Sequence, residues 1–136
     1  MEDLKAKVKE VNEVLKAGEP NNVSHDTYSG YSGYAPQCVI DAMNAKLFGE
    51  WGFEEIETHT VTSKSKDGND TQLAVTKVQV YLKGIDFKPT AWGQSRITKG
   101  DVGDGKKGAQ TDAIKKALAY FSIGNRAYHG LLEAKK

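Results

Sequence analysis

The sequence predicts an α+β fold: a three-stranded antiparallel β-meander packed against helices. Three observations carry this. Residues 72–82, QLAVTKVQVYL, alternate so that one strand face holds Ala74, Val78, Val80 and Leu82 and the other Lys77, Gln79 and Tyr81. Leu4, Val8, Val11 and Leu15 near the start, and Ile114, Ala117, Leu118 and Phe121 near the end, recur at helical spacing. The strand-like stretches follow one another without intervening helices, as in a meander, rather than alternating with helices as in a parallel sheet.

In chain order, residues 1–18 read as an amphipathic helix stopped by Gly18 and Glu19-Pro20. Residues 19–35, broken by glycine and proline and carrying Tyr28, Tyr31 and Tyr34, read as a Tyr/Gly-rich loop or arm. Those tyrosines suit base stacking, core packing or a subunit interface, and the interface is preferred. Pro36 fits the first turn of a second helix with Val39, Ile40, Met43 and Leu47 on one side. Strands follow over 51–62, 72–82 and 85–96, the first pair joined through Asp67-Gly68 and the third bearing Pro89, which lacks a ladder donor and indicates an edge or bulge. TKGDVGDGKKG, residues 98–108, reads as a glycine-rich basic connector to the last helix. One domain, residues 1–136, is expected.

The chain has 19 Lys and Arg against 18 Asp and Glu, so its net charge of +1 does not itself announce a nucleic-acid partner. The distribution does more. From Lys83 onward there are 11 basic and 5 acidic residues, an excess of six, which leaves the first 82 residues at −5. A basic face in the second half follows. Cys38 is the single cysteine, so an internal disulfide is impossible and a reducing compartment is suited. No apolar run is long enough to span a bilayer, and MEDLKAKVKE does not resemble a secretory signal, so a cytoplasmic protein without membrane contact is expected.

Motifs of catalysis are weak. Gly100 and Gly105 have phosphate-loop spacing and Lys106 follows, but Lys107 stands where the magnesium-binding hydroxyl belongs. His25, His59, His129 and Cys38 are too scattered for a metal site. Glu54, Glu55 and Glu57 fit a solvated strand face. Trp92 is expected in packing. No enzyme, metal or cofactor is expected. What remains is basic: Arg96 and Lys99 after the third strand, Lys106 and Lys107 in the connector, and the pair Lys115-Lys116 in TDAIKKALAYFSIGN. At about 100° per residue Lys116 points away from the buried stripe while Lys115 stands on its border, so one lysine is solvated and the other aimed.

YAPQCVIDAMNAKLFGEWGFE, the strand pair ending AWGQSR, and KKGAQTDAIKKALAYFSIGN, in this order, resemble the Rad-fifty-two family of single-strand DNA annealing proteins, including its small phage and bacterial members. The resemblance spans roughly residues 33–130, and makes residues 36–130 an annealing-type core. It implies a β-β-β-α core assembling into rings or other homo-oligomers, with single-stranded DNA in a basic groove. It also implies annealing of complementary strands in recombination or repair without ATP and without a catalytic residue, in the cytoplasm at the nucleoid. By motif position Lys115 and Lys116 match the family's paired groove residues, Gln94 a groove residue after the aromatic-glycine pair, and Lys99 a basic residue beyond it. Ala119 departs, standing where some relatives have a further basic residue, and the tyrosine-rich arm lacks an upstream arginine. These departures imply either weaker DNA affinity or contact borne partly by Arg96 and Arg126. Expected partners are single-stranded DNA and further copies of the chain. A single-strand-binding protein or recombinase is a further candidate, though the mediator role that eukaryotic members perform through a long tail is not expected. The alternative reading is a protein-interaction module whose basic helix docks an acidic partner.

Overall fold

The computed structural model describes residues 2–25, 32–64 and 67–132. In order, the elements are α1 (Glu2–Ala17), β1 (Val23–His25), β2 (Ser32–Tyr34), α2 (Pro36–Leu47), β3 (Trp51–Lys64), β4 (Asp70–Leu82), β5 (Thr90–Arg96), α3 (Val102–Leu118), a 3-10 turn (Ala119–Phe121) and α4 (Asn125–Tyr128). They form two compact units, residues 52–117 and the residues on either side of them.

In the flanking unit α1 packs along α2, and Val11, Leu15, Val39, Ala42, Met43 and Leu47 are buried. Both helices lie where their apolar spacing puts them. Pro36 opens α2, where its missing N–H would have had no partner within the helix. Inside the segment expected as a loop, β1 and β2 form a short antiparallel ladder, Val23 opposite Tyr34 and His25 opposite Ser32. Tyr34 is buried in its own chain and its hydroxyl donates to Glu19 Oε2 at 3.1 Å, so it serves internal packing rather than a subunit interface. Tyr28 and Tyr31 lie outside the described residues.

The central unit is the antiparallel sheet β3-β4-β5 with α3 on one face. Along β4 the expected face of Ala74, Val78, Val80 and Leu82 is buried, joined by Thr76, whose hydroxyl is satisfied by that of Thr58 at 3.0 Å. Ala74, Ile97 and Ala109 form a buried cluster that fixes α3 to this face. The approach is closest at Gly93: a Cβ there would lie 2.2 Å from the Ala109 carbonyl oxygen and 2.3 Å from the Ala113 nitrogen. Only glycine permits that spacing.

Two boundaries differ from expectation by more than two residues. α3 begins at Val102, so the glycine-rich connector is its first two turns. Asp101 Oδ1 accepts the Asp104 N–H at 3.0 Å, capping the helix start. Gly105 and Gly108 lie so close to Ile97 and Ser95 that a Cβ would meet them at 2.8 and 2.5 Å. Close packing on β5 outweighs glycine's helix penalty of about 1 kcal/mol per residue. The third strand begins at Thr90 rather than 85, because Pro89 has no amide to pair. Its carbonyl instead accepts the Val80 N–H at 3.0 Å just ahead of the ladder.

β3 is an edge strand and is exposed along most of its length, with Ile56 46% and Val61 40% exposed. Trp92, expected in packing, alternates onto the sheet face away from α3 and is 43% exposed. There it stacks with His59, ring centroids 6.0 Å apart, and the Lys77 ammonium lies 5.8 Å from its centroid.

Candidate nucleic-acid interface

The seam between α3 and the free edge of β5 assembles the most basic-residue candidates. β5 pairs with β4 on one side only, and the amide of Gln94 points outward from the other. Asp112 of α3 answers it: its Oδ2 accepts the Gln94 N–H at 3.1 Å. The same oxygen lies 2.9 Å from Lys116 Nζ, an i,i+4 pair. One carboxylate thus joins Lys116 to the backbone of Gln94. Lys116, expected to be solvated, is exposed, and Asp112 pairs with it there.

Lys115 is the more enclosed of the two. Burial lowers its pKa from the ordinary 10.5, and the Lys116 charge lowers it further, against the opposing pull of Asp112. A partly desolvated ammonium gains more from an approaching anion than a fully hydrated one. Both lysines stand in the last turn of α3, where the helix dipole favours cations.

Lys99 and Arg96 lie at the other end of α3, both exposed. Lys99 has φ of 56°, in the left-handed region, ahead of Gly100 at 74°. A lysine there costs about 1 kcal/mol relative to glycine. From the start of α3 to Lys115 is 13 residues, about 20 Å of helix axis. Lys106 and Lys107 lie on the helix, not in a loop. Helical geometry sets Lys106 about 180° from Lys115, whereas Lys107, Thr111 and Lys115 follow one another at i,i+4 spacing along one side. Lys107 therefore shares the Lys115 side and Lys106 does not.

Arg126 belongs to the other unit and its charge is already engaged. Its Nε donates to Glu19 Oε2 at 2.9 Å, and its Nη2 donates to Glu19 Oε1 at 3.3 Å and to the Leu131 carbonyl at 2.7 Å. The Glu19 side chain is only 3% exposed. Arg126 is held above its usual pKa by these bonds, and burial together with Glu19 pushes the Tyr34 hydroxyl up to about 12.

Sequence reasoning passed over Asp112 as a site residue. Its place four residues before Lys116 was the available signal; its bond to Gln94 was not readable. Among the described residues no three His, Cys, Asp or Glu side chains converge as a metal site, and no helix is long and apolar enough to cross a membrane.

A search of curated proteins returns no match. The family model of the Rad52/22 family double-strand break repair proteins matches residues 10–135, from the middle of α1 to the end of the chain. The three-stranded antiparallel sheet with α3 on its face agrees with the β-β-β-α core that resemblance implied. With 126 of 136 residues matched, the chain belongs to the Rad52/22 family, whose members act in DNA repair and recombination by binding single-stranded DNA, self-associating and annealing strands.

Proposed function

We propose that this protein holds the backbone of single-stranded DNA along the α3–β5 seam and anneals it to a complement without ATP. The observation that carries this reading is the shared Asp112 carboxylate, which sets Lys116 beside the Gln94 backbone with Lys115 next to it. Lys115 and Lys116 anchor one end of the tract and Lys99 the other, with Lys107 along the flank; Gln94 joins through its backbone, and the Gln94 and Arg96 side chains, which alternate with Trp92 onto the sheet face away from α3, meet the strand from that side of β5. Lys106, on the opposite side of α3, contributes only to the general field. Arg126 contributes least, because Glu19 neutralises it. A tract of about 20 Å accommodates about six nucleotides stacked at 3.4 Å. Contact through phosphates gives tolerance of sequence and leaves base edges free to pair.

Self-association in this reading runs through β3. A strand of 14 residues with one free edge and exposed apolar side chains is a surface that a monomer ordinarily protects. Repeated head-to-tail contact between unlike surfaces yields a ring or a filament.

The test is fluorescence anisotropy with a labelled oligonucleotide over a range of salt, with an annealing assay in the absence of ATP. Lys115→Ala and Lys116→Ala together are expected to abolish annealing and to weaken binding, Lys115→Ala more than Lys116→Ala, since the Lys115 ammonium is the more desolvated of the two. Each lost phosphate contact flattens the slope of log K against log salt by about 0.7. Absence of binding at low salt removes the reading in favour of an acidic protein partner. Ile56→Lys with Val61→Lys is expected to reduce the assembly measured by light scattering.

A further inference from the structure

The flanking unit carries a second basic feature, a groove of about 390 Å³ between α1 and the segment around 122–126. Lys5, Lys9, Asn12 and Lys16 line its α1 wall. Helical geometry puts these four within about 60° of one another around the axis, a straight stripe about 16 Å long. Asn12 ties the two walls together: its amide nitrogen donates to the Ser122 carbonyl at 2.9 Å, and its Oδ1 accepts the Gly124 N–H at 2.8 Å.

The charges of this stripe are not used internally. Lys7, on the same helix, is 2.6 Å from Glu50, and Arg126 is bound to Glu19. Lys5, Lys9 and Lys16 form no ion pair among the described residues. Among the described residues Glu13 is the one acid in the groove lining, which leaves an excess of positive charge facing open solvent.

A polyanion fits this surface, and its composition separates the two kinds. Recognition of a peptide relies on apolar or aromatic anchors seated in pockets. Here Val8 is the one apolar side chain in the lining among the described residues. Flexible ammonium groups in a row without such anchors suit a chain of phosphates read by charge alone.

We propose that the α1 groove is a second tract for a phosphodiester backbone, in which Lys5, Lys9 and Lys16 each neutralise a phosphate. It rests on the reading of the protein as one that binds DNA, and is independent of which residues line the α3 seam. A second tract lets one chain hold a length of strand beyond the reach of the seam.

The experiment compares the full-length chain with its Lys5→Gln, Lys9→Gln, Lys16→Gln triple variant, in anisotropy titrations of a labelled single-stranded oligonucleotide across salt. Glutamine keeps helix propensity at exposed sites, and circular dichroism checks the fold. The salt slope is expected to flatten by about 2, three contacts at about 0.7 each, with particle size unchanged. Lys46→Gln, on α2, is expected to leave the slope as it is. An unchanged slope in the triple variant, while Lys115→Ala with Lys116→Ala weakens binding, overturns the groove and leaves the proposed function standing. Absence of binding by the unaltered chain removes both. A flattened slope accompanied by smaller particles also overturns the proposal, since the stripe then belongs to a contact between copies, with the exposed Glu54, Glu55 and Glu57 of β3 as its acidic counterpart. A change with Lys46→Gln equal per charge to that of the triple variant overturns it as well, by making the effect one of net charge.

Discussion

Gly93→Ala is the sharpest probe of how the seam is built, because it alters no charge. The added methyl would sit 2.2 Å from the Ala109 carbonyl oxygen and 2.3 Å from the Ala113 nitrogen, both backbone atoms that no side-chain rotation can move. Restoring an ordinary contact of 3.4 Å requires α3 to retreat from β5 by the difference, about 1.2 Å. Overpacking of this kind costs about 1–3 kcal/mol, and contacts with backbone favour the upper part of that range. At about 3–5 °C per kcal/mol for a chain of this length, the melting temperature should fall by about 6–15 °C. The same retreat stretches the 3.1 Å bond from Gln94 to Asp112 beyond hydrogen-bonding range and releases Lys116 from its position. DNA affinity should therefore fall by up to about tenfold, about 1.4 kcal/mol, with an unchanged salt slope because every lysine is still present. Thermal denaturation at matched protein concentration and anisotropy titration measure the two effects. If Gly93→Ala melts with the unaltered protein and binds equally well, the close approach of α3 to β5 is not what positions the lysines.

Lys99→Gly should act in opposite directions on stability and binding: relief of the left-handed backbone raises stability by up to about 1 kcal/mol, while the salt slope flattens by about 0.7. Denaturant titration and anisotropy on one preparation check both signs. Because burial holds the Lys115 pKa below 10.5, DNA affinity should be full below that lowered value and decline as pH rises through it, earlier than for an ordinary lysine. For folding the sign is reversed: the unfolded chain binds the extra proton in the window between the lowered value and 10.5, so this group adds stability as pH rises across it. Lys115→Arg should remove the early decline in affinity, as followed by anisotropy against pH. Glu19→Gln leaves the Arg126 guanidinium without its counter-charge and should lower the melting temperature more than Tyr34→Phe does. Tyr34→Phe loses one hydrogen bond and should cost about 1 kcal/mol; thermal melts that reverse this order would assign Arg126 a different anchor.

Much of the fold was legible because hydrophobic period fixes which face of an element is buried. The apolar stripe of α1 and the alternation of β4 needed nothing from the rest of the chain. The first turns of α3 were not legible for the opposite reason. Gly103, Gly105 and Gly108 oppose a helix by their own propensity, and what reverses the balance is contact of the latter two with Ile97, just past β5, and with Ser95 on it. The site divides in the same way. That Lys115 and Lys116 differ in exposure followed from helical geometry. That Asp112 ties Lys116 to Gln94 depends on an 18-residue separation, and that Arg126 is neutralised by Glu19 depends on one of 107. Sequence displays a charge but not the neighbour that offsets it.

The bond between Asp112 and Gln94 also bears on how copies of this chain can meet. A sheet grows from whichever border has amides to offer, and at Gln94 that offer is already taken by a carboxylate of the same chain. An incoming strand would have to displace Asp112 and would then face its negative charge and the adjacent Lys116. Joining two molecules β5 to β5 is thereby discouraged, while β3 stays accessible. Such an asymmetry between borders works against closed two-fold pairs and favours a polar order of subunits, with every α3 presented in the same sense to a strand passing along the assembly.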